Sequence, residues 1–286
     1  MTTDISNSNQ LSVGPVSIAD MITMQAAVDR FEALDQPVDA IQGVTLLDPM
    51  GGGLAVGDLW LIAGGRYVGL TATALTLARE LATAGIETVL AVGDTNVDVL
   101  TTKLIAAMAH VGSQNLEPGR RSSLRQDEQE RVSAAIEDLR DLRLRMFDPR
   151  WSEDLDSNAM LSWLWDTDAA RGRVLIIDDA DAWVRRLGPD IPKRLKDLAQ
   201  RWNATVVALA HSEHPRPMRR KHPREEWCHW ERHLDATVIL DRPELHNPRS
   251  QRVGEIDAYG WSTRAAQTQE GFIFQGHYGS ITRPGR

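Results

Sequence analysis

Apolar residues recur along the chain in two rhythms, one of three and four residues and one of short continuous runs. From Ser17 to Leu34 the first rhythm holds: Ile18, Met21, Ile22, Met24, Ala27, Val28, Phe31 and Leu34 mark one face of a helix, with Ser17 placed as its N-cap. The residues before it are polar and rich in Ser, Thr and Asn, so 1–16 reads as a disordered tail and 17–42 as a linker helix and loop. Beyond that the rhythms alternate. DLWLIAG (58–64) is an apolar run ending in glycine, Thr71 to Ala84 has helical spacing, and ETVLAVG (87–93) is a second run, which together make a βαβ unit. Helices are predicted over Val97 to Val111 and Asp127 to Arg143, the latter with acidic and basic residues at the offsets of a solvated face. VLIIDD (174–179) and TVVALAH (205–211) flank a helix over Pro192 to Trp202, and such β-branched runs suit strands buried on both faces of a parallel sheet. TVILD, GEIDAYG and GFIFQGHYGSIT supply further strands towards the C-terminus. The pattern predicts an α/β fold over 43–286, with a mainly parallel central sheet and an antiparallel edge, preceded by the linker helix.

Composition narrows the picture. With 286 residues and 42% hydrophobic content the chain can bury a sizeable core. Cys228 is the single cysteine, so no intrachain disulfide forms, and a cytoplasmic location is expected. No apolar run approaches the ~20 residues that span a bilayer, so no membrane partner is expected. A net charge of -8 argues against a uniformly basic nucleic-acid coat and leaves such contacts to a local basic loop or an assembled ring. Trp163, Trp165, Trp183, Trp202, Trp227, Trp230 and Trp261, from a total of nine tryptophans, read first as core and subunit contacts and second as base-stacking platforms.

Candidate chemistry begins at GGRYVGLT (64–71), a strand-to-helix turn of the form G-x-x-x-x-G-x-T. A phosphate loop has this form with lysine before the final hydroxyl residue: its backbone N–H groups wrap phosphates, the lysine neutralises their oxygens and the hydroxyl holds Mg²⁺. Here Leu70 stands in place of the lysine, while Gly64, Gly65, Arg66, Gly69 and Thr71 retain the cradle. ATP and Mg²⁺ are therefore the expected cofactors, bound weakly and without fast phosphoryl transfer. Taken alone, such a turn serves equally as a tight turn and helix cap. VLIIDD adds a strand ending in carboxylates, where Asp178 would join Thr71 around the metal; its bland alternative is an acidic strand end facing solvent.

GVTLLDPMGGGLAVGDLWLIAG (43–64) resembles the entrance to the motor domain of DnaB-like replicative helicases, a RecA-like P-loop core. The resemblance runs in order through VLAVGDTNVDVLTTKLIAAMAHV, residues 127–149, VLIIDDADAWV, residues 195–223 and the closing strands. In that register Asp94 takes the place of the catalytic glutamate, Lys103 falls on a basic helix position, and Asp178 is the magnesium-linked aspartate. His211 stands where a polar sensor belongs. The resemblance implies an ATPase site with Asp94 and Asp178 as catalytic residues. It also implies a mobile DNA-binding loop. The Lys-x-Arg pair that enters a neighbour's site falls near Tyr259 to Trp261, where no basic pair exists; Arg264 is the nearest candidate.

Arg216, Arg219, Arg220, Lys221 and Arg224 give the 215–232 stretch a local basic excess, which suits a loop tracking a single-stranded DNA backbone or, equally, a solvated loop. His211, His214, His222, Cys228, His229 and His233 match no tight zinc spacing, and Cys228 lacks the partners of a thiol nucleophile. The sequence thus predicts a DnaB-like protein of DNA replication or repair that binds ATP and single-stranded DNA with little ATPase activity. Its expected partners are copies of itself in a ring, a competent helicase or another replication protein. An active helicase with an atypical site, in which Arg66 or a neighbour's arginine replaces the lysine, and a catalytically dead scaffold remain alternatives.

Overall fold

A computed structural model of the chain describes residues 53–93, 95–148, 173–211, 228–262, 268–277 and 280–282. These all belong to the larger of two compact units, Asp39–Arg286. The expected tail, the Ser17 to Leu34 helix and its loop lie outside the described residues.

Every apolar run predicted as a strand within the described residues forms one. In chain order these are β1 (Leu59–Gly64), β2 (Thr88–Ala91), β3 (Leu144–Phe147), β4 (Arg173–Ile177), β5 (Ala204–His211), β6 (Ala236–Asp241), β7 (Glu255–Ser262), β8 (Thr268–His277) and β9 (Ser280–Thr282). They join in one nine-stranded sheet of order β3-β2-β4-β5-β1-β6-β7-β8-β9. All pairings from β3 through to β6 are parallel, and those from β6 onwards are antiparallel. The GFIFQGHYGSIT run is split between β8 and β9.

The helices cover both faces. On one lie α1 (Leu70–Thr83) and α2 (Val97–Ala109); on the other, α4 (Ala180–Leu187) and α5 (Ile191–Arg201). A solvated helix, α3 (Gln126–Asp141), packs on α2 through Val132 and Ala135. A single turn, α6 (Cys228–Glu231), precedes β6. Because side chains alternate across a strand, each parallel strand feeds two cores at once. Trp60, Ile62, Val174, Ile176, Val207 and Leu209 meet Leu77, Leu81, Leu100 and Leu104 on the first face. Leu59, Leu61, Leu175, Ile177, Val206 and Ala208 meet Trp183, Ile191, Leu195 and Trp230 on the second. The core reading of the tryptophans holds for Trp183 and Trp230, while Trp202 is 53% exposed.

The hydrophobic pattern singled out no helix at α4. It is eight residues long, too short to show a period, and starts from Asp179, whose side chain accepts from the Ala182 N–H at 3.2 Å. Among the described residues no helix is long and apolar enough to cross a membrane.

One polar network ties the sheet to its entrance. The Asp235 carboxylate accepts from the Leu59 N–H at 2.7 Å and pairs with Lys196 Nζ at 2.6 Å; Lys196 also donates to the Gly57 carbonyl at 2.8 Å. Both side chains are mostly buried, so removing one leaves the other without its charge partner. Asp235→Ala is expected to cost about 2 kcal/mol, seen as a lower urea midpoint with unchanged slope. A loss under about 0.5 kcal/mol would remove this network from the fold's supports.

Candidate functional site

Parallel strands deliver their following loops to one edge of the sheet, and a crevice there is where α/β folds of this kind bind ligands. In this chain Gly64, His211 and Leu240 are in register at that edge, on β1, β5 and β6. β4 ends there too, with Asp178 next in sequence.

The loop from Gly64 to Thr71 is shaped by close approach. A Cβ on Gly64 would lie 2.7 Å from Val68 Cγ1 and 2.8 Å from the Leu240 carbonyl oxygen, so only glycine fits. Gly69 caps α1 in the left-handed region at φ 107°, which glycine adopts without strain. The loop also holds Tyr67 at φ 66°, with its side chain 82% exposed. Leu70, where a phosphate loop carries lysine, is the first residue of α1 and only 4% exposed. It belongs to the first-face core and also borders the cleft.

Thr71 comes next, and its Oγ1 lies 3.3 and 3.2 Å from the two carboxylate oxygens of Asp178, donating to that carboxylate across 107 positions of sequence. Asp178 is buried, and burial pushes its pKa up to about 6. The Thr71 hydroxyl, His211 and Lys103 oppose that rise, and Asp179 reinforces it. Asp179 has φ 59°, a strained conformation that turns the chain sharply from β4 into α4. Gly93 makes room for that turn: its Cβ would stand 2.7 Å from both Cβ and the carbonyl oxygen of Asp179. The Asp181 carboxylate accepts from the His211 N–H at 2.6 Å, and burial raises its pKa as well.

Around these groups lies a cleft of about 730 Å³. Gly65, Arg66, Gly69, Leu70 and Thr71 line it, with Lys103 and His211. Asp178 stands behind Thr71. The sequence did not point to Asp179, Asp181, Arg185, Arg242 or Ser113, which also line the cleft. Arg242 had a usable signal, because it directly follows a parallel strand at the loaded edge. The side chains of Asp179, Asp181 and His211 present ligand atoms within 4.8 Å of one another, a grouping that histidine spacing alone could not reveal. Two of their oxygens are engaged with the Ala182 and His211 N–H groups. Tyr259 and Trp261 pair with Ile239 and Thr237 across β7 and β6. Asp94, Arg264 and the basic set Arg216, Arg219, Arg220, Lys221 and Arg224 lie outside the described residues.

The model of the DnaB-like helicase C terminal domain family matches residues 41–256. Solved structures similar to this chain include one of a DnaB-like replicative helicase and its interactions with primase, with TM-score 0.73 and 19% identity over 93% of this chain and 68% of that one. Another is a separately solved ATPase domain, with TM-score 0.76 and 20% identity over 91% of this chain and 98% of that one. No curated protein sequence matches the chain.

The raised pKa of Asp178 has a defined sign. Between about pH 4 and 6 the folded chain holds a proton on this group that the unfolded chain has released, so its contribution to stability falls as pH rises and the full penalty is present above pH 6. Asp178→Asn removes the penalty. With no ligand added, that variant should be more stable than the parent at pH 8, by on the order of 2 kcal/mol, with the difference vanishing by about pH 4. Thermal melts of both proteins across that range check this, and a difference that does not change with pH would refute it.

Proposed function

The chain belongs to the DnaB-like helicase C-terminal domain family, and from that membership we propose that it binds ATP with Mg²⁺ in the cleft beside Thr71 while hydrolysing it very slowly. One observation carries the reading. Leu70 is absorbed into the hydrophobic core at 4% exposure, while the hydroxyl–carboxylate pair of Thr71 and Asp178 stays assembled beside an open cleft. The loop has kept what cradles a phosphate and lost what neutralises it.

The donor set suits a divalent cation. A buried carboxylate that resists ionisation for want of positive charge sits beside a hydroxyl, which is the oxygen chemistry Mg²⁺ prefers. Thr71 and Asp178 would hold the ion; when bound, it neutralises phosphate oxygens and orients them. The loop's backbone N–H groups and the start of α1 supply a partial positive field for the same phosphates. Binding survives on these terms, because backbone donors and metal do not depend on residue 70. Rapid turnover is a different demand. It needs charge placed where negative charge develops, and losing such a group forfeits ~10³-fold or more.

Asp94 is assigned to the position that activates the attacking water, with a shorter reach than the glutamate it replaces. Arg216, Arg219, Arg220, Lys221 and Arg224 are assigned to the backbone of single-stranded DNA, whose phosphates a basic loop follows without reading sequence. In this account the protein acts in DNA replication or repair, in a ring of its own copies or beside a competent helicase.

The test is hydrolysis of ATP with and without single-stranded DNA, for the parent chain and for Leu70→Lys. The parent should turn over roughly 10³-fold more slowly than the ~10 s⁻¹ typical of enzymes, with no DNA stimulation. ATP with magnesium at a hundred times Kd should still stabilise it by about 2.7 kcal/mol. Leu70→Lys should raise the rate. DNA-stimulated hydrolysis by the parent, abolished by Thr71→Ala or Asp178→Asn, would instead establish an active helicase.

A further inference from the structure

Losing the loop lysine leaves a question of charge, and the cleft wall holds four candidate cations: Arg66, Lys103, Arg185 and Arg242. Three are poorly placed to serve. Arg66 is exposed on the outer turn of the loop. Arg185 extends towards Asp179 at 3.9 Å. Arg242 is held by Glu244 at 2.5 Å and by the Tyr67 carbonyl at 3.5 Å.

Lys103 differs from all of them. It sits on α2 three residues after Leu100 and one before Leu104, both fully buried in the first-face core. That places it at the margin of the packed face, where a lysine stem covers apolar surface and carries its ammonium outwards. The residue is half-buried and lines the same cleft as Leu70 and Thr71. Among the described residues no carboxylate lies within ion-pair distance of it, yet its charge reaches Asp178 and favours the ionised carboxylate there. A partly desolvated ammonium without a counterion is costly to maintain. A polyanion in the cleft would relieve it.

We propose that Lys103 is the phosphate-binding cation of this cleft, supplying from α2 the charge that Leu70 no longer supplies from α1. The inference rests on the nucleotide reading above and gives it a specific residue. A compact charge on a flexible four-carbon stem suits the task, since it adapts to phosphates without the fixed geometry a guanidinium requires. The arrangement also accounts for binding without fast turnover: a cation coming from another helix can hold a triphosphate while being misplaced for the charge that develops in transfer.

The test uses the full chain and measures equilibrium affinity for a non-hydrolysable ATP analogue, ADP and adenosine, each with magnesium. Lys103→Met keeps the apolar stem and removes the charge. It should lower affinity for the triphosphate roughly tenfold or more, leave adenosine unchanged and leave the unliganded melting temperature within a degree or so. Lys103→Arg should retain much of the affinity. In the Lys103→Met background, Leu70→Lys should restore it. If Lys103→Met binds the analogue within twofold of the parent, or if the loss follows Arg66→Met or Arg242→Met instead, Lys103 is not the cation and the nucleotide reading stands. If the parent binds none of the three ligands, both fail together.

Discussion

A buried carboxylate with one hydroxyl for company is an unfavourable thing to build, and the candidate site depends on it. Asp178 is carried to the end of β4 by a strand with both faces in the core, so it is removed from water by the packing that makes the sheet. Thr71 reaches it from the first turn of α1, two strands away, because β5 lies between β4 and β1 and all three run parallel. The pair therefore exists only when the sheet order and the α1 start are both correct. Its cost is visible in the raised pKa of Asp178, a stored demand for positive charge facing a cleft.

Leu70 gains meaning against that demand. At the head of α1 an apolar side chain joins the core beside Ala74 and Leu77, and stability benefits from the burial. The site loses a fixed ammonium in exchange. Cationic groups remain around the cleft, but they approach from α2, from α4 and from the segment after β6. The same fold thus separates holding a polyanion from placing charge for its cleavage. The family's ATPase chemistry needs both; this chain has kept the parts that do the first.

Much of the fold was legible in the sequence because the parallel strands are buried on both faces. VLIIDD and TVVALAH announce themselves as continuous runs, and their strands appear within a residue of the expected bounds. α4 was not legible, since eight residues give no period and its start depends on a strained Asp179. The site divides in the same way. Residues 64–71 and Asp178 could be found because each sits in a local pattern of turn, strand and helix. Arg185, Arg242, Asp181 and the His211–Asp179 approach could not, because strand order alone brings those segments together. Two of them follow a rule that can be applied in advance: in a parallel sheet the residue at or just after each strand's C-terminal end faces the crevice. His211 and Arg242 both satisfy it.

The central claim is that metal-linked nucleotide binding persists at a loop without its lysine. The most direct measurement is calorimetric titration of the unmodified chain with a non-hydrolysable ATP analogue, with and without Mg²⁺, at several pH values. The account predicts one site per chain, dependent on Mg²⁺ and weakening as pH falls below about 6, where a proton competes for the Asp178 carboxylate. Absence of binding, or binding indifferent to Mg²⁺, would contradict it.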